Sequence, residues 1–283
     1  MDDGVLEELE KIARTQLQEQ HAPGEVEALL RILREDFWLT SKISLPARSK
    51  DYQSALARVR DGEPVQYVVG SAHFFGYDFK VDPSVLIPRP ETEELVQLVI
   101  ESSTAYSAPV ILDVGTGSGC IAISLAKQLP QAMVEGLDVS EEALKIARLN
   151  NIQMGTAVNF TQCDFLDDRS WTEFDEYDII VSNPPYILKS ESHLMNTLDH
   201  EPHLALFVDS KIGVVQFYKK LALFAGNHLL PGGQLFLEIN QYSAPEIKDS
   251  LAQHGFHTEL LQDMQGNDRM LKCRIAKREL PLT

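Results

Sequence analysis

From Pro109 onward, short apolar runs rich in branched residues alternate with longer stretches of helical period, and nothing else in the chain restricts its fold as much. The runs are Val110–Val114, Met133–Leu137, Val158–Gln162, Tyr177–Val181 and Gln234–Glu238. Between and after them lie the helical stretches Cys120–Leu129, Glu141–Met154, Gly213–Ala225 and Ala244–His254. Strands joined through helices pair in parallel and are covered on both faces, so they read as continuous apolar runs. The expected class is therefore α/β, a parallel sheet with helices on both sides. Two last runs, Thr258–Leu261 and Met270–Ile275, leave no room for a helix between them. They predict a terminal antiparallel strand pair turning through Gly266-Asn267-Asp268.

Ahead of Pro109 the pattern differs. Val5, Leu6, Leu9, Ile12, Ala13 and Leu17 recur at helical spacing, as do Val26, Leu29, Leu30 and Leu33, and Tyr52 to Arg60 reads as a shorter helix. Val65 to Phe75 and Tyr77 to Val81 read as the strands of a β-hairpin with Gly76 at its turn. The chain thus divides into a small helical domain, 1–61, a β-hairpin linker, 62–88, and an α/β domain, 89–283. In Leu86-Ile87-Pro88-Arg89-Pro90-Glu91-Thr92-Glu93, two prolines hold Arg89 extended, and Glu91 or Thr92 is placed to start a helix. The segment is either a linker or a wall of a site; the second reading makes Arg89 and Glu91 substrate contacts.

Bulk properties narrow the function classes. The net charge of −17 over 283 residues disfavours a direct, sequence-independent grip on nucleic acid, which needs basic surface. No apolar run approaches the roughly 20 residues that span a bilayer, and the acidic Met1-Asp2-Asp3-Gly4 start is unlike a signal peptide. Cys120, Cys163 and Cys273 are widely spaced and odd in number, which suits a reducing cytoplasm and argues against a disulfide framework. His200 and His203 have no third ligand at suitable spacing, so no metal site is expected.

Two loops carry chemistry. Asp113-Val114-Gly115-Thr116-Gly117-Ser118-Gly119 joins a strand to a helix, and its glycines permit a tight turn and close approach of a ligand. The next strand ends at Asp138, where a carboxylate can take both hydroxyls of a ribose. The third strand ends at Cys163-Asp164-Phe165, where Asp164 can face an adenine amino group and Phe165 its ring. No lysine follows the glycines, so a P-loop is not indicated. The fourth strand runs into Asn183-Pro184-Pro185-Tyr186, and two prolines cannot continue a central strand. Asn183 offers an acceptor oxygen, the proline carbonyls are freed from the ladder, and Tyr186 offers a flat face. Such a corner can hold a planar NH2 group by both hydrogens. Either an adenine amino group or a carboxamide fits it.

In order and spacing, glycine loop, ribose acid, adenine pair and strand-four corner resemble the class I S-adenosylmethionine-dependent methyltransferases over about residues 84–283. That resemblance implies a Rossmann-like sheet ending in the antiparallel pair. It also implies S-adenosyl-L-methionine as cofactor, with Asp113, Gly115, Thr116, Gly117, Ser118, Gly119, Asp138, Asp164, Phe165 and Asn183 around it. Further segments resemble the bacterial protein-(glutamine-N5) methyltransferases of the release factor-specific PrmC/HemK family. They are Gly62-Glu63-Pro64-Val65-Gln66-Tyr67, Phe74-Phe75-Gly76, Leu86 to Glu93, Glu201-Pro202, Ala205-Leu206, Leu237-Glu238-Ile239 and Asn267-Asp268-Arg269. By this resemblance Asn183, Pro184, Pro185 and Tyr186 hold the reacting glutamine. The implied substrate is the Gly-Gly-Gln motif of class I peptide chain release factors, and the expected enzyme is a cytoplasmic monomer. Phe165 departs from the tryptophan some members carry. Two alternatives remain at this level: glutamine methylation of a ribosomal protein, and adenine-N6 methylation of DNA or RNA.

Overall fold

The computed structural model describes residues 2–39, 44–185, 187–188, 200–208 and 214–276. The chain divides into two compact units, Met1–Ser71 and Ala72–Thr283.

The first unit is helical: α1 (Asp2–Leu17), α2 (Pro23–Arg34), a π-helical turn over Glu35–Leu39, α3 (Leu45–Arg60) and α4 (Val65–Val69). Leu17, Leu30, Leu33, Trp38, Tyr52 and Val59 are buried together, with Trp38 edge-on to Tyr52 at 6.1 Å between ring centres. Two expectations need correction here. The third helix begins at Leu45, well before Tyr52. Val65–Val69 is helix and not strand: Pro64 sets up the first turn, Val65 and Val68 join the helical core, and Gly70 at φ 73° stops the turn. Burial of these valines outweighs their intrinsic β preference.

The second unit opens within a short hairpin, β1 (Ser71–Phe74) and β2 (Tyr77–Lys80), which turns through Phe75 and Gly76, both at positive φ. Then follow α5 (Pro90–Ser103), β3 (Val110–Val114), α6 (Cys120–Gln128), β4 (Met133–Asp138), α7 (Glu141–Met154), β5 (Asn159–Gln162) and β6 (Tyr177–Ser182). The short elements β7 (Ile187–Leu188), α8 (His203–Leu206) and β8 (Phe207–Val208) precede α9 (Val214–His228), β9 (Leu229–Glu238), α10 (Ala244–Gln253), β10 (Phe256–Gln262) and β11 (Asp268–Ile275). The seven-stranded sheet has the order β10-β11-β9-β6-β3-β4-β5. Its β10–β11 and β11–β9 pairings are antiparallel and the others parallel. The parallel sheet with its terminal antiparallel pair is what the alternation of elements predicts, and it is the class I methyltransferase fold that the resemblance implies.

Successive residues of the central strands point to opposite faces. Ile111, Ile179, Val181 and Phe236 pack with α5, α6 and α7, whereas Leu112, Ile180, Leu235 and Leu237 pack with α9 and α10. Strand β9 starts at Leu229, five residues before the Gln234 expected from sequence. Tyr177 pairs with Leu229 and Ile179 with Gln234, so the Pro231-Gly232-Gly233 stretch is a bulge within the strand. No described helix is long and apolar enough to cross a membrane.

Candidate active site

In the sheet, Val114 of β3 is registered with Ser182 of β6 and, on its other flank, with Leu137 of β4. The residues that leave these strands, Gly115, Asn183 and Asp138, therefore emerge side by side at one edge. The chain runs outward through β3, β4 and β5, then returns to lay β6 on the opposite flank of β3. The crevice at such a reversal is where open α/β sheets bind ligands.

The glycine loop is held by main chain. The amides of Gly115 and Thr116 both donate to the Leu137 carbonyl at 2.9 Å, and Gly119 donates to Thr116 at 2.8 Å. Gly115, Gly117 and Gly119 have φ of 76°, 55° and 80°. At Gly119 an added Cβ would meet Ile123 Cδ1 at 2.9 Å, so this glycine is needed for packing α6. Gly115 and Gly117 face open space. Asp113 lies beneath the loop, fully buried, and accepts the Thr116 hydroxyl at 2.7 Å. Burial pushes its carboxyl up to about 7, against the Thr116 hydroxyl and the Ala122 N–H. It supports the loop from below. Ser118 is also buried.

Asp138 accepts from Gly117 N–H and Ser140 N–H, each at 2.9 Å, one on each oxygen. Burial raises its pKa and these amides counteract the rise. Asp164 is exposed and accepts from the Leu166 amide at 3.1 Å. Phe165 is placed differently from expectation. It is 4% exposed, with Phe217 stacked at 5.6 Å, Trp171 tilted at 5.5 Å and Phe224 edge-on. In this conformation its ring offers no free face to an adenine.

At the strand-four corner, the Ser182 hydroxyl donates to the Val114 carbonyl at 2.7 Å and ties β6 to β3 where both end. Asn183 and Pro185 are half-buried and Pro184 is buried. Tyr186 lies outside the described residues. The Asn183 amide NH2 donates to Thr92 Oγ1 at 3.1 Å, and the Thr92 hydroxyl donates to Glu238 Oε2 at 2.7 Å. Burial drives Glu238 up to about 7.

The start of α5 therefore belongs to the site framework. Arg89 is its N-cap and Pro90 its first residue, so neither Glu91 nor Thr92 starts the helix. Arg89 donates to Glu201 at 2.5 Å, and Glu93 accepts the Phe75 amide at 2.9 Å. Glu91 is half-buried in the first turn. Sequence reasoning named Thr92 only as a possible cap. Asn150 was missed altogether: it is fully buried on α7, donates to the carbonyls of Ser118 and Lys80, and accepts the Lys80 amide.

Residues 92–201 match the family model of the methyltransferase small domain. The release factor glutamine methyltransferase of Flavobacterium psychrophilum is 42% identical over 255 residues, covering 87% of this chain and 88% of that one. That of Bacteroides thetaiotaomicron is 40% identical over 270 residues, covering 91% and 96%. The chain belongs to the release factor glutamine methyltransferase family. A solved methyltransferase from Pyrococcus furiosus, 19% identical, superposes with a TM-score of 0.52 over 78% of this chain and 97% of its own, a likeness of fold.

For a member of the release factor glutamine methyltransferase family, the crevice fits the nucleoside cofactor that methyl transfer implies. Gly115 and Gly117 leave room that a side chain would fill, at backbone angles that L residues seldom adopt. Asp138 stands where their loop meets the next strand end, and each of its oxygens keeps a lone pair for a hydroxyl donor.

Proposed function

We propose that this chain transfers a methyl group from S-adenosyl-L-methionine to the side-chain nitrogen, N5, of the glutamine in the Gly-Gly-Gln motif of class I peptide chain release factors. S-adenosyl-L-homocysteine is left behind, and the amide nitrogen releases one of its two protons as the new N–C bond forms. The observation that carries the reading is the setting of Asn183. Its NH2 is engaged by Thr92, so its Oδ1 is turned away as an acceptor, at the sheet edge shared with the glycine loop.

A carboxamide nitrogen is a poor nucleophile because its lone pair is delocalised into the carbonyl. Asn183 Oδ1 and the Pro184 carbonyl accept its two N–H groups and hold the nitrogen in one orientation. Positioning of this kind can remove a large part of a barrier when the reacting atoms are near contact distance. S-adenosylmethionine, when bound, supplies a methyl carbon made electrophilic by a sulfonium. Asp138 engages the ribose and the Gly115–Gly119 backbone lets the nucleoside approach closely. Pro184 and Pro185 bring no N–H of their own, so the corner presents acceptors only. Residues 1–61 carry none of this chemistry and are read as the unit that recognises the protein substrate.

The test is methyl transfer from labelled cofactor to purified release factor, with the modified residue located by mass spectrometry. Label on the Gly-Gly-Gln glutamine is expected. Label confined to DNA, RNA or a ribosomal protein overturns the reading.

A further inference from the structure

Asn183 can work as an acceptor only if its amide faces the right way. Oδ1 and Nδ2 have nearly the same shape, so something must distinguish the two orientations. In this protein the discriminating contact comes from two residues remote in sequence. Thr92, in the first turn of α5, lies between Asn183 and Glu238, the last residue of β9. A threonine hydroxyl has one proton and two lone pairs. An ionised Glu238 only accepts, so the Thr92 proton is committed to it, and Thr92 turns a lone pair toward Asn183. An amide NH2 satisfies that lone pair, whereas an amide oxygen in the same place would be repelled.

We propose that Thr92 and Glu238 are positioning residues for methyl transfer, selecting the orientation of Asn183 in which Oδ1 receives the N–H of the acceptor nitrogen. The proposal rests on the reading of Asn183 as the acceptor clamp. The three side chains come from the residue that follows β6, from α5 and from β9, and each is separately anchored. Ser182 is bound to Val114, Thr92 N–H donates to the Arg89 carbonyl at 3.1 Å, and the Tyr218 hydroxyl donates to the Glu238 carbonyl at 2.9 Å. Thr92 is 3% exposed and Glu238 1% exposed, so water does not compete for their contact. Burial opposes the ionised form of Glu238 and pushes its carboxyl up to about 7, while the Thr92 hydroxyl, Arg269 and Arg89 favour ionisation and Glu91 opposes it, so Glu238 acts purely as an acceptor above that pH.

The test uses the full chain with Thr92→Val, Thr92→Ser, Glu238→Gln and Asn183→Ala. Valine keeps the shape of threonine and removes the hydroxyl. It is expected to lower kcat for release factor methylation by about 10- to 100-fold, the scale of a misplaced reacting group. The KM for release factor and the calorimetric affinity for S-adenosylhomocysteine should stay within about threefold, since neither contact is made by Thr92. Serine restores the hydroxyl and should recover most of kcat. Glutamine at 238 can donate as well as accept, so it should give an intermediate loss. A second readout needs no turnover: side-chain amide exchange of Asn183 by NMR should be faster in Thr92→Val and near the native rate in Thr92→Ser. The proposal is overturned if Thr92→Val keeps native kcat, or if Thr92→Ser loses as much as Thr92→Val while both bind S-adenosylhomocysteine normally. Asn183→Ala separates the two ideas. If it alone abolishes transfer, only the positioning role fails; if it leaves transfer intact, the clamp itself is wrong.

Discussion

Arg89 and Glu201 form an ion pair at 2.5 Å across 112 residues of chain. The glutamate side chain is 3% exposed and the arginine 31%. The second oxygen of Glu201 accepts the Ile87 amide at 3.2 Å. One buried carboxylate thus fixes both the approach to α5 and its N-cap. Removing it leaves a partly buried guanidinium and a buried N–H without a partner.

Glu201→Ala is therefore expected to destabilise the α/β unit by about 2 kcal/mol, less than a fully buried pair because Arg89 reaches solvent. Urea unfolding followed by Trp171 fluorescence, in a Trp38→Phe background, measures this without the helical unit. Arg89→Met combined with Glu201→Leu should recover much of the loss, because a pair replaced as a whole leaves no buried charge.

Two glycines of one loop should fail in different ways. Gly119→Ala places a methyl 2.9 Å from Ile123 and 3.1 Å from Phe160 at a φ of 80°. The left-handed backbone alone accounts for about 1–2 kcal/mol, and the crowding adds to it. Gly117→Ala shares the backbone strain but meets no atom. Its methyl would occupy the crevice. Thermal melts should drop further for Gly119→Ala, while S-adenosylhomocysteine affinity should drop further for Gly117→Ala. The same ranking in both measurements would refute the assignment of Gly117 to the cradle.

What the sequence made legible was local. The strands of the sheet, the glycine loop and the Asn-Pro-Pro corner announce themselves within a few residues, because branched side chains, left-handed angles and missing N–H groups act at that range. Val65–Val69 was misread because its helical state is decided by burial against α1 to α3. The ring of Phe165 was misplaced because its neighbours, Phe217 and Phe224, come from a helix that follows β6. Thr92 meets Glu238 across 146 residues, and Asn150 meets Lys80 across 70. Contacts of that separation follow from strand order, which residue spacing does not encode.

Asn150 supplies another prediction. Its amide satisfies the Lys80 N–H, the Lys80 carbonyl and the Ser118 carbonyl at 2.7, 3.0 and 2.9 Å, so one side chain joins the hairpin to the glycine loop. Asn150→Leu fills the space but leaves three backbone groups unpaired, at about 2–4 kcal/mol. Asn150→Asp should be worse, since it turns a carboxylate oxygen toward two carbonyls. Thermal melts rank the variants, and S-adenosylhomocysteine calorimetry should show weaker binding in both. Aspartate better tolerated than leucine would mean that the Lys80 amide is the only contact of consequence.

Asp113 makes stability depend on pH with an unusual sign. Its carboxyl stands at about 7 in the folded chain because it is buried, against about 3.9 in an unfolded one. Between those values the folded state binds the extra proton, so the unfolding free energy falls as pH rises. The stabilisation is complete below pH ~4 and lost through pH ~7, up to about 4 kcal/mol for a shift of this size. Glu238, also pushed up to about 7 by burial, acts in the same direction. Asp167, held down to about 2 by Arg169, acts in the opposite sense and below this window, where acidification removes its contribution. Asp113→Asn cannot titrate, so its unfolding free energy should fall less steeply between pH 4 and 7 than that of the native chain. The readout is the slope and not the level, because asparagine also alters the contacts to Thr116 and Ala122 at every pH. Parallel curves for the two proteins would show that Asp113 is ionised throughout, with its charge held by the loop above it.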